Sequence, residues 1–432
     1  MGIVRYLYNN IRFSGKYSMS KIKAGHHVMF VCTKNNDFKC IKVPRNQQLF
    51  IKPLKFDPDS VIGQPFGQKY QVNRGKLTVC EKEKVFQEPD VNCDKTNKFI
   101  RDENTSQILT QGEIEEMKAD GVSGKEIVEK LVENSTAFEA KTEFAKAKWL
   151  KKKIVKHNPS IVTKKPSMRN FCQAATSKIR LDTMGQIMNA ANVWNSSKVI
   201  VVETKDDLIT SGVAQRLAGD GEVVQVYEQR TPHSMYTKWL DLGNSNSVIH
   251  YFPCKNICDL SHMKDQKEIN ELKDGDEEED EEKPQLGKRK REEEMLEEKI
   301  LKAQEKLETK SFDSLIVSTF YNPLPVVEGL WDCVRPSGKL VLHTEHLNAA
   351  IEVANFAESH GCAEMSLTDS WFREIQVLPG RTHPDMRMQS GGGYLLTCTK
   401  VLPDIIEQGS KREMAYKDNG STSVELPEEK MG

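Results

Sequence analysis

No apolar run in this 432-residue chain is long enough to cross a bilayer, and none sits behind an N-terminal charge as a secretion signal would. No membrane partner is therefore expected. The ten cysteines are scattered without a C-x-x-C pair, so they are read as reduced thiols of a cytosolic or nuclear protein. Net charge is almost absent as well, 62 Lys and Arg against 63 Asp and Glu, but the two signs are segregated along the chain. The first 36 residues contain no acid, and Arg5, Arg12, Lys16 and several tyrosines there imitate a mitochondrial presequence. Met19-Ser20 begins a more ordinary start, so the residues ahead of it are read as an upstream extension. A chain of this length is expected to hold two or three domains.

The second informative absence is glycine in one turn. Lys198–Val202 is an apolar, β-branched run suited to a buried parallel strand, and Asp206–Ala218 carries the apolar stripe of a helix that covers a sheet. Gly219-Asp220-Gly221 stops that helix, and Glu222–Tyr227 reads as the next strand, followed by an acid, Glu228. A nucleotide-binding β-α-β unit holds a ribose with an acid at that place and uses glycines in its first turn, so that the backbone reaches the ligand. Here the turn is Glu203-Thr204-Lys205-Asp206-Asp207. Asp206 and Asp207 are expected to satisfy the helix dipole themselves and to repel an anionic ligand. The unit is a cofactor fold that has lost its cofactor.

Ahead of it, Val28–Val31, Cys40–Val43, Leu49–Ile51, Tyr70–Val72 and Leu77–Val79 are short strands punctuated by glycine, proline and asparagine. Their spacing predicts a small β-barrel or sandwich. Helical pieces follow at Glu113–Lys118, Gly124–Asn134 and Lys141–Lys153. From Lys141 to Arg169 there are ten basic residues (Lys141, Lys146, Lys148, Lys151, Lys152, Lys153, Lys156, Lys164, Lys165 and Arg169) and one acid, Glu143, with Phe144 and Trp149 interleaved. Such a run is either a solvated helix face leading to a linker or an electrostatic track for a phosphate backbone, and its length without acid favours RNA. His250, Cys254, Cys258 and His262 fall four apart, but Pro253 breaks any helix there and the paired knuckles of a zinc site are missing, so no metal is expected.

Asp274–Glu282 has eight acids in nine residues, followed by Lys288-Arg289-Lys290-Arg291 and a Glu/Lys-rich helix. The segment 263–310 is read as a disordered acidic and basic insertion, and its basic block as a nuclear-import signal that places the protein in the nucleus. Beyond it, Asp313–Thr319, Gly338–Thr344, Cys362–Ser366 continuing toward Trp371–Leu378, and Gly393–Thr399 read as strands, with helices at Pro323–Trp331 and Leu347–His360. The fold class is α/β: an N-terminal small β-barrel and a C-terminal Rossmann-like domain of the class I methyltransferase type. The predicted boundaries are an extension at 1–20, a barrel at 21–100, a basic connector at 101–170, the Rossmann-like domain in two parts at 171–262 and 311–402, and a disordered tail at 403–432. Late strands in this fold often pair subunits, so Trp371–Leu378 and Tyr394–Thr399 are the expected interface.

The run from Trp371 to Pro384, WFREIQVLPGRTHP, followed by Ser390-Gly391-Gly392-Gly393-Tyr394, closely resembles the non-catalytic subunit of the eukaryotic tRNA N1-adenosine methyltransferase. Similar segments in the same order are Ser106-Gln107 with Leu109-Thr110, Gly124–Val128, Glu133-Asn134-Ser135, Lys141–Ala145, Lys164–Ser167, Arg180–Thr183 and Arg335–Gly338. The resemblance runs from about Ile22 to Val401 apart from the acidic insertion. It implies a subunit without catalysis or cofactor, which grips tRNA in a heterotetramer, two of each, with a catalytic paralogue that holds S-adenosylmethionine and modifies T-loop position 58. The paralogue's acid after the fourth strand is replaced by Ser318-Thr319-Phe320. Motif matching implies tRNA contacts at Arg101, Asn104, Ser106, Gln107, Thr110, Lys141, Phe144, Lys148, Lys151, Lys152, Lys153, Lys164, Lys165, Ser167, Arg169, Arg381, His383 and Arg387. Two other readings stand beside this one: an active S-adenosylmethionine enzyme with an unusual loop, supported by Glu228, and a general RNA-binding adaptor.

Overall fold

The computed structural model describes residues 20–80, 107–120, 122–174, 179–204, 206–229, 231–242, 248–256, 297–377, 382–384 and 391–402. The chain divides into two compact units, Met1–Lys178 with Arg373–Gln389, and Ile179–Phe372 with Ser390–Gly432.

In the first unit, His27–Cys32 (β1), Phe38–Lys42 (β2), Leu49–Ile51 (β3), Leu54–Phe56 (β4), Lys69–Asn73 (β5) and Lys76–Val79 (β6) are short strands; β1 is buried from Val28 to Cys32, whereas β3 alternates buried and exposed residues. Helices follow at Gln111–Ala119 (α1), Gly124–Glu133 (α2) and Glu143–His157 (α3), then the strand Ile161–Lys164 (β7) and the short helix Met168–Cys172 (α4). The main sheet is antiparallel with the order β2-β1-β7-β5-β6, and β3 pairs with β4 in a separate hairpin. Two expectations change. The edge strands β2 and β6 do not pair with each other among the described residues, so the sheet is open rather than a closed barrel. Its middle strand, β7, comes from the stretch read as connector: Ile161 is fully buried and pairs with Cys32 on one side and Tyr70 on the other. A four-residue strand behind a lysine-rich helix carried too short an alternation to be noticed. Val28, Phe30, Phe56, Tyr70 and Ile161 anchor this core, while Ile114, Ile127 and Leu131 form a second, smaller one against Trp149.

The second unit contains Leu181–Ala190 (α5), Lys198–Glu203 (β8), Leu208–Leu217 (α6), Glu222–Tyr227 (β9), Met235–Leu240 (α7) and Ile249–Pro253 (β10). Residues 297–308 are helical (α8). After them come Phe312–Ser318 (β11), Leu324–Trp331 (α9), Val334–Thr344 (β12), Leu347–Ser359 (α10) and Cys362–Trp371 (β13). The expected continuation of β13 to Leu378 breaks. Ile375–Gln376 (β14) instead pairs with His383–Pro384 (β15) in a two-residue ladder that belongs to the first unit. Gly391–Lys400 (β16) completes the large sheet, whose order is β10-β9-β8-β11-β12-β16-β13.

Five of those strands are parallel and the last two run as an antiparallel pair, β16 lying between β12 and β13. This is the Rossmann-like layout of methyltransferases. Strands β8 and β11 are buried on both faces, as their unbroken apolar runs require. The end of the supposed insertion also needs correction. Ile300, Ala303 and Leu307 recur at helical spacing, and Ala303 and Leu307 are buried in the main core. The charge density around them hid a stripe of only three apolar residues.

Candidate functional site

In an open parallel sheet, ligands bind beyond the carboxyl ends of the strands. Here that rim begins at Glu203, the last residue of β8. Its carboxylate is buried and accepts the backbone N–H groups of Ile209 and Thr210, both at 2.8 Å, and the Thr210 hydroxyl. Those amides belong to the first turn of α6, where a bound anion would otherwise sit. Burial pushes the Glu203 carboxyl up to about 7, against the lowering effect of its three donors.

Asp207 does something other than expected. It sits at the N-cap of α6 with φ +59 and makes no capping bond to that helix. Its buried carboxylate reaches across to α7 and accepts the N–H groups of Tyr236 at 3.0 Å and Thr237 at 2.9 Å. Two amides at the start of α6 are therefore met by Glu203 at the end of the strand, while the Asp207 carboxylate turns away to α7. A sequence pattern of acids before a helix does not say which one turns back.

The neighbouring loops are knitted together. The Thr204 N–H donates to the Ser318 carbonyl at 3.1 Å, and the Phe320 N–H donates to the Thr204 hydroxyl at 3.2 Å. Further along, the Tyr321 hydroxyl lies 3.7 Å from the Cys254 sulfur, and burial raises the Tyr321 pKa well above its ordinary value. Glu228 is exposed at the end of β9. Between the ends of β11 and β12 a shallow, open recess is lined by Thr319, Phe320, His343, Thr344, Glu345 and His346.

One serine and histidine in this region are paired, Ser318 Oγ to His343 Nδ1 at 3.0 Å. The other ring nitrogen, Nε2, lies 2.8 Å from the Gly392 carbonyl, which only accepts, so Nε2 carries the ring proton. Nδ1 then takes the serine hydroxyl. Both side chains are buried, and the pair braces β11, β12 and β16. Sequence reasoning saw Ser318 only as the absence of an acid and missed His343 altogether.

S-adenosylmethionine, which a fold of this type implies, does not fit these residues. The first turn offers no glycine, Glu203 already occupies the amides of α6, and the Thr204–Phe320 bond joins two loops that a cofactor would have to separate.

The basic track is better ordered than its composition suggested. On α3, Lys148, Lys151, Lys152 and Lys156 are exposed, and the steps from 148 to 152 to 156 place them along one helix face. Lys153 is half-buried, its ammonium 5.1 Å from the Trp149 ring centroid, and its pKa is lowered by burial and by Lys156. Lys146 pairs with Glu139 at 2.9 Å and lies over Phe138. Lys141 donates to the Ala137 carbonyl at 3.2 Å. Phe144 lies on α3, and its side chain is outside the described residues.

Several of the remaining candidates hold local structure. Thr110 and Glu113 form a reciprocal cap at the start of α1, with the Thr110 N–H 2.7 Å from Glu113 Oε2. Gln107 bridges to Ser135 and bonds the Asn134 carbonyl, and Ser167 caps α4. Lys164 is half-buried at the end of β7; Lys165, Arg169 and His383 are exposed. Arg101, Asn104, Ser106, Arg381 and Arg387 lie outside the described residues, as do Lys288, Arg289, Lys290 and Arg291. Of the four spaced histidines and cysteines, His250 is on β10 and Cys254 just after it, while Cys258 and His262 are outside the described residues. No cluster of three metal-ligating side chains occurs among the described residues, nor any helix long and apolar enough to cross a membrane.

A family model described as the Gcd10p family matches residues 21–298. The chain belongs to the Gcd10p family. Among its relatives is the tRNA (adenine(58)-N(1))-methyltransferase non-catalytic subunit TRM6 of Mus musculus, 30% identical over 445 residues, covering 88% of this chain and 89% of that protein. The subunit of the same description from Dictyostelium discoideum is 28% identical, covering 90% and 81%. A solved structure with similarity is the tRNA (m1A58) methyltransferase TrmI of Aquifex aeolicus, 12% identical with a TM-score of 0.44, covering 89% of this chain and all of that one (100%).

Proposed function

We propose that this chain is the non-catalytic, tRNA-binding subunit of a tRNA (adenine-N1)-methyltransferase acting at T-loop adenosine 58. It supports a catalytic paralogue that holds S-adenosylmethionine, in a heterotetramer of two of each, in the nucleus. The observation that carries this reading, in a member of the Gcd10p family, is the cofactor turn: it has no glycine, and Glu203 and Thr204 close it with their own hydrogen bonds. Ser318-Thr319-Phe320 stand at the end of β11, without an acid there that would orient or deprotonate an adenine.

The tRNA contacts fall to the exposed lysines of α3, to Lys165 and Arg169, and to Arg101, Asn104, Ser106, Arg381, His383 and Arg387. Guanidinium forks suit phosphates, and a histidine stacks or hydrogen-bonds in an RNA loop. Pairing with another subunit falls to β13, because β16 has both edges filled by β12 and β13. Met365, Leu367 and Trp371 are exposed on that edge strand.

The test is purification of the complex from cells of the source organism, with bound RNA sequenced and protein subunits identified by mass. A second, S-adenosylmethionine-binding methyltransferase chain in equal amount, with tRNA, is expected. Calorimetry of this chain alone with S-adenosylmethionine is expected to give no heat. Micromolar binding would replace the scaffold by an enzyme, and RNA without a methyltransferase chain would leave the adaptor.

A further inference from the structure

The five-stranded sheet of the first unit has two unlike faces. Residues opposite each other in a ladder share a face, and side chains alternate along each strand. One face carries Val28, Phe30, Ile161, Tyr70 and Leu77 into the apolar core. The register fixes what stands on the other. Lys42 lies opposite His27, and two residues on, Met29 lies opposite Lys164. Val162, two back from Lys164, lies opposite Lys69. Gln71 and Asn73 follow Lys69 on that face, opposite Thr78 and Lys76.

Lys42, Lys164, Lys69 and Lys76 therefore descend the face in a diagonal, on β2, β7, β5 and β6, with only β1 contributing none. From strand spacing and rise, consecutive members are about 12, 8 and 14 Å apart at Cα. No strand of this sheet contains an Asp or a Glu. Toward β1 and β2 part of the face is covered: Met29, Val31 and Cys40 are buried, and the Phe38 ring lies 6.3 Å from that of Phe171 on α4. From Lys164 across β5 and β6 it opens. Lys164, Lys69 and Gln71 are half-buried, Asn73, Lys76 and Thr78 are exposed, and Lys42 is exposed on the far edge strand. Asn73 Nδ2 donates to the Thr78 hydroxyl at 2.8 Å, which ties β5 to β6 beside Lys76.

We propose that this face is a further phosphate-binding surface, which holds the backbone of tRNA by charge and reads no base. The inference rests on the reading that the chain binds tRNA, and adds the sheet to the lysines of α3. Two observations select the ligand. Four lysines on a sheet without a carboxylate complement a polyanion, and each phosphate they neutralise releases a counterion. The open part of the face, from Lys164 to Lys76, carries no aromatic ring among the described residues, so a base has nothing there to stack on. Lysine is moreover a point charge on a flexible stem, suited to a phosphate and not to the edge of a base.

The test uses the full chain, purified with the subunits that accompany it. Binding of two tRNAs of unrelated sequence is followed through a salt titration. Lys69→Ala with Lys76→Ala is expected to lower the slope of log affinity against log salt by about 2, roughly 0.9 for each phosphate contact, equally for both tRNAs. Lys69→Arg with Lys76→Arg keeps the charge and is expected to keep the slope. A second measurement needs no variant to fold: wild type is acetylated with and without tRNA and the digest read by mass, where Lys42, Lys69 and Lys76 are expected to be protected by the RNA. Wild type that binds tRNA while these lysines react as in the free protein overturns the proposal, as does an unchanged slope in the alanine variant or a loss confined to one tRNA sequence. Departure of another subunit from the alanine variant, with the slope kept, would make the face a protein interface instead. Wild type that retains no tRNA removes the functional reading and this surface with it.

Discussion

The carboxylate of Asp207 accepts the backbone N–H of Thr237 at 2.9 Å, joining the turn before α6 to the start of α7 across thirty positions of sequence. The same carboxylate holds the Tyr236 N–H, and the site is buried. Asp207→Ala leaves two buried amides without their acceptor, at a cost of about 3 kcal/mol. Its backbone is left-handed, φ +59, so glycine relieves strain there while removing both bonds. Asp207→Asn keeps one acceptor. Urea unfolding should therefore rank Asn above Gly and Gly above Ala; Ala equal to wild type would mean that the bonds to α7 contribute nothing.

Glu203 predicts a pH dependence. Its carboxyl is raised in the folded state from 4.5 to about 7, so the folded chain binds more protons than the unfolded one between those values. Stability from this group is fully present below pH 4.5 and is lost as pH rises through 7, by about 3 kcal/mol at 1.36 kcal/mol per unit. Glu203→Gln keeps an acceptor but cannot ionise. Measured between pH 4.5 and 8, the variant should show a flatter stability curve than wild type, and parallel curves would refute the assignment.

On α3 the exposed and stacked lysines should behave differently. Lys151 and Lys152 are open to solvent, whereas Lys153 lies over Trp149. Lys151→Ala with Lys152→Ala is expected to weaken tRNA binding, lower the slope of log affinity against log salt by about 1 for each phosphate no longer neutralised, and leave stability within about 0.5 kcal/mol. Lys153→Ala is expected to lower stability by about 0.5–1 kcal/mol, because the ammonium no longer lies over the indole ring. Salt titrations of tRNA binding beside thermal melts separate the two; an unchanged slope in the double variant would remove α3 from the interface.

Much of the large sheet was legible because its signals are long. Ile200, Val201 and Val202, and likewise Leu315, Ile316 and Val317, are unbroken apolar runs that only a doubly covered strand explains. The turn without glycine was legible too, since chain composition decides where backbone can approach a ligand. What failed was short or shared between distant residues. Ile161–Lys164 is four residues of ordinary composition and becomes a central strand only because β1 and β5 flank it. Ile300, Ala303 and Leu307 form a helical stripe that neighbouring charge obscured. Asp207 bonds to a helix thirty residues on, and no local pattern encodes that choice. The lysine track was visible as charge, but its division into an open face and a stacked member depends on where Trp149 points.

Gly393 has φ +84, and a Cβ placed there would lie 2.8 Å from the Thr344 carbonyl and 2.9 Å from His343 Nε2. Gly393→Ala therefore adds a left-handed penalty to two close contacts and should cost about 2–4 kcal/mol. His343→Ala removes the ring that links Ser318 to Gly392 and should cost about 3 kcal/mol, since a buried hydroxyl and a carbonyl lose their partner and a cavity opens. In the double variant the new methyl meets the vacated ring space, so one of its two clashes is gone. The combined cost should fall short of the sum by about 1 kcal/mol, a coupling that a double-mutant cycle in urea reads directly. Strict additivity would place the strain wholly against the Thr344 backbone and free His343 of any part in confining the turn.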